Sequence, residues 1–244
     1  AYCHESSTIA GKHADLDKLL DTLSDLPAGV ELAIGGGNPL SHPRLVPFLE
    51  TCKERGYIPN LTVNQGHLLK YQELLHYLIQ NQLIYGLGIS IITRNYKHII
   101  PLMGMTSNIV FHVIAGVNTV DVVHDLRGLG SYCKVLVLGY KMFGFGVAHY
   151  SDSVQQILRE WYRQLPKLIG KCVLSFDNLA IEQLNVKRLF TNNGWTKFYM
   201  GDDFTFTMYI DAVKQEYAPT SRSSNRMNWN EVELFKYFSD NRLK

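Results

Sequence analysis

The chain has 244 residues, enough for one substantial core, and its 46% hydrophobic and 19% charged residues mark a globular rather than a disordered protein. Its 24 Lys and Arg against 22 Asp and Glu leave a net charge of +2, too weak a field to imply nucleic acid as a partner. No apolar run approaches the ~18 residues of a membrane span, so no membrane is expected either.

In chain order, β-branched runs alternate with amphipathic stripes, the pattern of an α/β protein with a parallel sheet. A strand over 30–34 enters three glycines. A helix over 43–55 follows, with Leu45, Phe48, Leu49 and Cys52 on one face and Gly56 as its stop. A strand over 58–63 ends in Asn64-Gln65-Gly66, and a helix over 68–79 comes next. The third strand spans 84–91, then a short helix 96–103, a strand 109–115 and a helix 122–129.

A fifth strand, 134–138, leads through a glycine-aromatic loop, 139–149, into a helix over 154–168. A strand at 173–176 precedes a helix near 179–189. A late strand over 204–213 and a final helix over 230–238, with Asn230 and Glu233 as a capping pair, complete the pattern. Repeated βα units with short loops favour a partial TIM-like (βα) barrel over a doubly wound sheet. The expected organisation is a barrel core over 1–215, with a polar loop and helix over 216–244 in the same domain.

Four cysteines, at positions 3, 52, 133 and 172, are too few for a disulfide framework and lack metal-type CxxC spacing. Reduced thiols and a cytoplasmic location are expected, with Cys52, Cys133 and Cys172 acting as small buried hydrophobes. The Gly35-Gly36-Gly37-Asn38-Pro39 loop leaves its backbone unshielded by Cβ atoms, which suits either a plain turn or contact with a ligand. It lacks a phosphate-binding frame, and Pro39 interrupts the donor row a phosphate would need, so exposed carbonyls facing a cation fit better.

Taken together, Tyr2-Cys3-His4, Gly36-Gly37-Asn38-Pro39 and Thr62-Val63-Asn64-Gln65-Gly66 resemble, in order and spacing, the radical S-adenosylmethionine (radical SAM) enzymes. Those enzymes hold a [4Fe-4S] cluster with CxxxCxΦC, and Tyr2-Cys3 is similar to its last two residues. The resemblance implies that the first barrel strand and the two other cluster cysteines lie upstream of Ala1. A single thiolate does not hold a cubane, so the chain as written is not expected to bind a complete cluster.

By the same resemblance Cys3 ligates iron and Tyr2 lies near the adenine. Gly36, Gly37 and Asn38 receive the ammonium group of S-adenosylmethionine, with Asn38 where the family usually has glutamate. Pro39, Thr62 and Asn64 belong to the same binding motifs. Ser90 is placed for the ribose or methionine carboxylate, with a solvated strand-end serine as the alternative. Ile114, Leu138 and Tyr140 wall the adenine, with ordinary core packing as the alternative for the aliphatics.

The implied reaction is reductive cleavage of S-adenosylmethionine to a 5′-deoxyadenosyl radical that abstracts hydrogen from an unidentified substrate, a peptide or small molecule. An external electron donor such as flavodoxin or ferredoxin is implied as partner. The Tyr-Cys-His run also resembles the glycyl-radical activases. A rival reading is a non-catalytic degenerate barrel acting as a binding module.

Other features carry two readings each. Lys141–Gly146 suits a lid or a surface loop; Asp177-Asn178 suits a functional strand end or a turn; Arg222 and Arg226 suit an anion or solvent. Among the histidines only His4 is given a role.

Overall fold

Alternation of apolar and polar side chains builds the central layer. In the computed structural model, which describes residues 10–130 and 133–242, six strands form one parallel sheet. They are β1 Glu31–Ile34, β2 Ile58–Asn64, β3 Gly86–Ser90, β4 Ile109–Ile114, β5 Lys134–Leu138 and β6 Val173–Phe176. Each pairs with the next in sequence, so the spatial order is the chain order. Parallel neighbours need a crossover, and such crossovers are right-handed. An order that never reverses therefore sets the connecting helices on one face.

Burial agrees. Leu61, Val63, Leu87, Ile89, Phe111, Val113, Val135 and Val137 are buried on that face. Against them lie α2 Leu45–Glu54, α3 Gln72–Gln80, α5 Asp121–Gly128 and α7 Asp152–Leu168 through Phe48, Leu49, Leu75, Leu78, Val123, Leu126, Trp161 and Leu165. The short α4 Ile100–Met103 fills the gap after β3 through Leu102. The opposite face is half-buried at its centre and open at both ends, where Ala33 and Ser175 are exposed and Val173 is 60% exposed. β1 and β6 do not pair with one another, so the described residues form an open sheet and not a closed barrel.

The remaining departures from the sequence pattern have local causes. A helix that the pattern does not show, α1 Leu16–Thr22, starts at Asp15, whose side chain accepts from the Lys18 amide. The 139–149 loop carries one turn, α6 Phe145–Ala148. Helix 179–189 divides into α8 Asn178–Gln183 and a 3-10 turn over Val186–Leu189, because Asn185 between them is left-handed at φ 46°. Next comes α9 Asn192–Phe198, also unforeseen, with Gly194 in its first half and no buried residue.

Phe204, at φ 67°, cannot continue an extended chain, so the late strand shrinks to β7 Tyr209–Asp211. It pairs antiparallel with β8 Glu216–Ala218, which pairs with β9 Met227–Asn228, and this small sheet straddles position 215. Tyr217 stacks on Trp229 and packs against Tyr237 there, and all three join the main core cluster.

The last helix, α10, is Leu234–Asn241, and the expected Asn230–Glu233 pair does not cap it. Instead Asp25, from the loop after α1, accepts the Phe235 amide at 2.7 Å. A carboxylate there satisfies an otherwise unpaired amide at the positive end of the helix. Asp25→Ala is expected to cost about 0.5–1 kcal/mol in urea denaturation; an unchanged unfolding midpoint would show the cap to be idle.

Candidate functional site

Six parallel strands in chain order deliver all their carboxyl ends to one edge, where open α/β sheets collect functional groups. The period of two fixes which side chains share the open face there. In register, Asn64 pairs with Ser90, Ser90 with His112, and His112 with Leu136; Thr62 pairs with Gly88, and Ile114 with Leu138. Thr62, Asn64, Ser90, Ile114 and Leu138, all expected at the site, therefore stand on one face near one edge. Tyr2 and Cys3 lie outside the described residues.

The glycine loop after β1 ends at the same edge. Gly36 and Gly37 take φ of 82° and 39°, and a Cβ on either would meet nothing within 4 Å, so bare backbone faces open space. Asn38 opens a 3-10 turn over Pro39–Ser41, and its main-chain carbonyl accepts from the Ser41 amide and hydroxyl. Its side-chain Oδ1 is buried without a hydrogen-bond partner. A buried unpartnered acceptor is costly, and a cationic N–H donor would relieve it. The loop therefore fits an ammonium group on an observation separate from the motif.

Other expected residues do structural work. Asn64 Oδ1 accepts the Gly66 amide at 2.8 Å, holding the turn after β2. Tyr140 is 2% exposed, and its phenol donates to the Gly146 carbonyl at 2.7 Å, pinning the Lys141–Gly146 loop onto itself. Asp177 Oδ1 accepts from Gly139 at 2.9 Å and from Ala180 at 2.7 Å, capping α8 and tying β6 to the β5 loop. Asn178 and Arg222 converge on Asp203, and Arg226 donates to Ser221 and Ser223 carbonyls.

Sequence reasoning missed the side chains that stitch the edge together. Gln65, 8% exposed, accepts the Ile92 and Thr93 amides through Oε1 and donates to the Asn95 carbonyl through Nε2. Asn118 accepts from Ile114 and donates to Ile91. Gln183 both accepts from and donates to the Tyr140 backbone. A turn-forming Asn-Gln-Gly was legible, but its glutamine's partners lie some thirty residues away.

His112 was also missed, although alternation within β4 puts it on the open face. A Cβ on Gly88 would stand 2.7 Å from the His112 ring and 2.9 Å from Thr62 Oγ1, so only glycine admits this imidazole between the strands. Burial pushes the His112 pKa from the ordinary 6.5 down to about 4, leaving a neutral ring at physiological pH. The surface hollows lined by Asp152, Arg159 and Arg163 on α7, and by Lys53, Gln82 and Thr106 at the opposite edge, lie away from this face.

The cysteines do not assemble a metal site. Among the described residues no three His, Cys, Asp or Glu side chains converge. Cys52 is buried in α2, and Cys133 and Cys172 precede β5 and β6 at the far edge of the sheet, so none fits a cluster beside the glycine loop.

With this geometry the chain matches solved structures of Streptococcus suis SuiB. The structure bound to precursor peptide SuiA aligns at 13% identity and a TM-score of 0.65, and the one bound to S-adenosylmethionine at 14% and 0.58. Each match covers 97% of this chain but 60% of that one, so the chain spans under two thirds of its neighbour's length. At that identity the likeness shows a shared α/β fold. No family model and no curated protein matches the chain significantly. No helix among the described residues is long and apolar enough to cross a membrane.

Two outcomes follow from the site's own bonds. Gln65→Leu strands two amides and a carbonyl and is expected to cost about 2–4 kcal/mol in chemical denaturation; a loss under ~0.5 kcal/mol would mean water replaces the glutamine. For His112 the folded pKa lies below the unfolded one, so between pH 6.5 and about 4 the unfolded chain binds more protons. Its contribution is complete above that window and lost as pH falls through it. Wild type should therefore lose on the order of 2 kcal/mol more than His112→Gln between neutral pH and pH 4. Parallel pH profiles of the two proteins would refute a neutral His112.

Proposed function

We propose that this chain is the cofactor-binding core of a radical SAM enzyme, with S-adenosylmethionine held at the carboxyl edge of the sheet. The carrying observation is the buried, unpartnered Asn38 Oδ1 beside the bare Gly36–Gly37 backbone. That feature lies where the motif resemblance puts the ammonium group. The shared fold with a neighbour solved with S-adenosylmethionine supports the same reading.

In this proposal Gly36, Gly37 and Asn38 take the ammonium, with Pro39 shaping the turn. Thr62, Asn64 and Ser90 offer polar groups to the ribose and carboxylate. Ile114 and Leu138, half-buried and paired in register, flank the adenine, and Tyr140 holds the loop behind them. Hydrogen abstraction by way of reductively cleaved S-adenosylmethionine is the chemistry the cofactor supplies in this class. The chain's own part is to bind, orient and exclude water.

A [4Fe-4S] cluster belongs to the proposal through Cys3, and an external donor such as flavodoxin or ferredoxin would reduce it. The described residues by themselves do not hold that cluster. A peptide is the favoured substrate class, because the other neighbour was solved with a precursor peptide. One second reading is a non-catalytic module that retains only the S-adenosylmethionine pocket, since the carrying observation, Asn38 Oδ1, serves binding alone.

Calorimetric titration with S-adenosylmethionine tests the pocket. Saturable binding is expected, weakened about tenfold, or ~1.4 kcal/mol, by Asn38→Leu. Absence of binding, or equal affinity in the variant, would remove the proposed site. Paramagnetic resonance on the reduced protein, expressed anaerobically from its complete reading frame, separates the two readings. A cluster signal shifted by S-adenosylmethionine supports the enzyme, and no signal after reconstitution leaves the module.

A further inference from the structure

The edge opposite the candidate site brings together two cysteines that sequence spacing keeps apart. Lys134 of β5 pairs with Val173 of β6, and the Val173 amide donates to the Cys133 carbonyl at 3.0 Å. Cys133 and Cys172 are thus the next facing positions on adjacent parallel strands, close enough for each thiol to perturb the other. Neighbouring strands lie about 4.8 Å apart, inside the ~4.4–6.8 Å Cα separation a disulfide accepts.

The two thiols are unequal. Cys133 is 3% exposed, and the neighbouring Cys172 thiol together with its own burial raises its pKa, so it keeps its proton. Cys172 is half-buried, and the facing Cys133 thiol brings its pKa down to about 7 against the opposing effect of burial. Arg127 adds positive charge, held nearby because its Nε donates to the Lys171 carbonyl at 3.1 Å. A reachable thiolate beside a second, buried thiol is the arrangement of an attacking and a resolving cysteine. Cys52 is the internal contrast, fully buried, with desolvation pushing its thiol up to about 11.

We propose that Cys172 and Cys133 form a thiol–disulfide exchange site for low-molecular-weight disulfides, independent of the cofactor site at the other edge. The Cys172 thiolate attacks one sulfur of a disulfide such as glutathione disulfide, breaking its S–S bond and releasing one thiolate, which takes a proton. Cys133 then gives up its proton and attacks Cys172 Sγ in the mixed disulfide, expelling the second thiolate. Two protein thiols are oxidised by two electrons, and the reagent is reduced to two thiols. The new bond clamps edge strand β6 to β5.

The test uses the full chain, reduced and handled without oxygen, incubated with glutathione disulfide and mapped by peptide mass spectrometry, which reads Cys3 separately. Wild type is expected to yield a linked Cys133–Cys172 peptide lighter by two hydrogens and restored by dithiothreitol. Cys133→Ser should stop at a glutathione adduct on Cys172, and Cys172→Ser should leave Cys133 unmodified. In the folded wild type, Cys172 should react with iodoacetamide about a hundredfold faster than Cys52. Failure of the linked peptide to form, or equal alkylation of Cys172 and Cys52, would overturn the proposal.

Discussion

A strand that ends must surrender its backbone to a loop, and at one edge of this sheet six strands do so side by side. Each loop carries amides and carbonyls that no longer pair along the sheet, and leaving them dry costs more than any one of them contributes. The chain meets that constraint with side chains from neighbouring loops. Gln65 joins the β2 loop to the β3 loop, Asn118 joins β3 to β4, and Asp177 and Gln183 join β5 to β6 and α8. The edge becomes a polar seam whose members hold one another in place. Among the described residues the glycine loop after β1 keeps a buried acceptor, Asn38 Oδ1, unused, and the turn after β2 likewise leaves His67 Nδ1 without a partner. A loop with bare backbone and an unused acceptor has bonds to offer a ligand.

Local periodicity made the sheet legible. β5 and β6 match their expected bounds, and β2 and β4 miss by a single residue, because alternation over four or more positions is the mark of a strand with two unlike faces. What escaped was short or non-local. Helix α1 buries Leu20 alone and α9 buries nothing, so neither writes a stripe into the sequence. Helix α10 takes its cap from Asp25, 210 positions away, a partnership no window can contain.

The site divides along the same line. That Thr62 and Asn64 share a face follows from the period of two, while the register between strands is what brings Ser90, Ile114 and Leu138 onto it. The partners of Gln65 and Gln183, 27 to 43 positions distant, depend on which strands become neighbours. Cys133 and Cys172 are the same case: each alone looks like a small apolar residue, and only the β5–β6 register makes them a pair. His112 fell between the two, since alternation gave its face while its neutrality needed the packing of β2 and β3 around it.

The open face is itself divided, and the division bears on what it can hold. From the glycine loop across β2 and β3 it offers Asn38, Thr62, Asn64 and Ser90, with Gly88 thinning the surface so that the uncharged His112 ring reaches in. Along β4 and β5 it turns apolar, with Ile114 beside Leu138 and Leu136 below them. The charged side chains of this face, Glu31 and Lys134, bond to Asn60 and Asn108 toward its other edge, so a ligand among the residues named here meets acceptors and shape rather than a counter-ion. A cation bound by carbonyl and amide oxygens keeps its charge without a buried carboxylate to desolvate, which removes the largest penalty of burying an ion pair. The proposed S-adenosylmethionine, an ammonium head and a flat heterocycle joined by a polar sugar, would meet both halves in a single orientation. In the proposed site a neutral Asn38 would serve in place of a glutamate, because its unpartnered Oδ1 leaves an acceptor free for the head group.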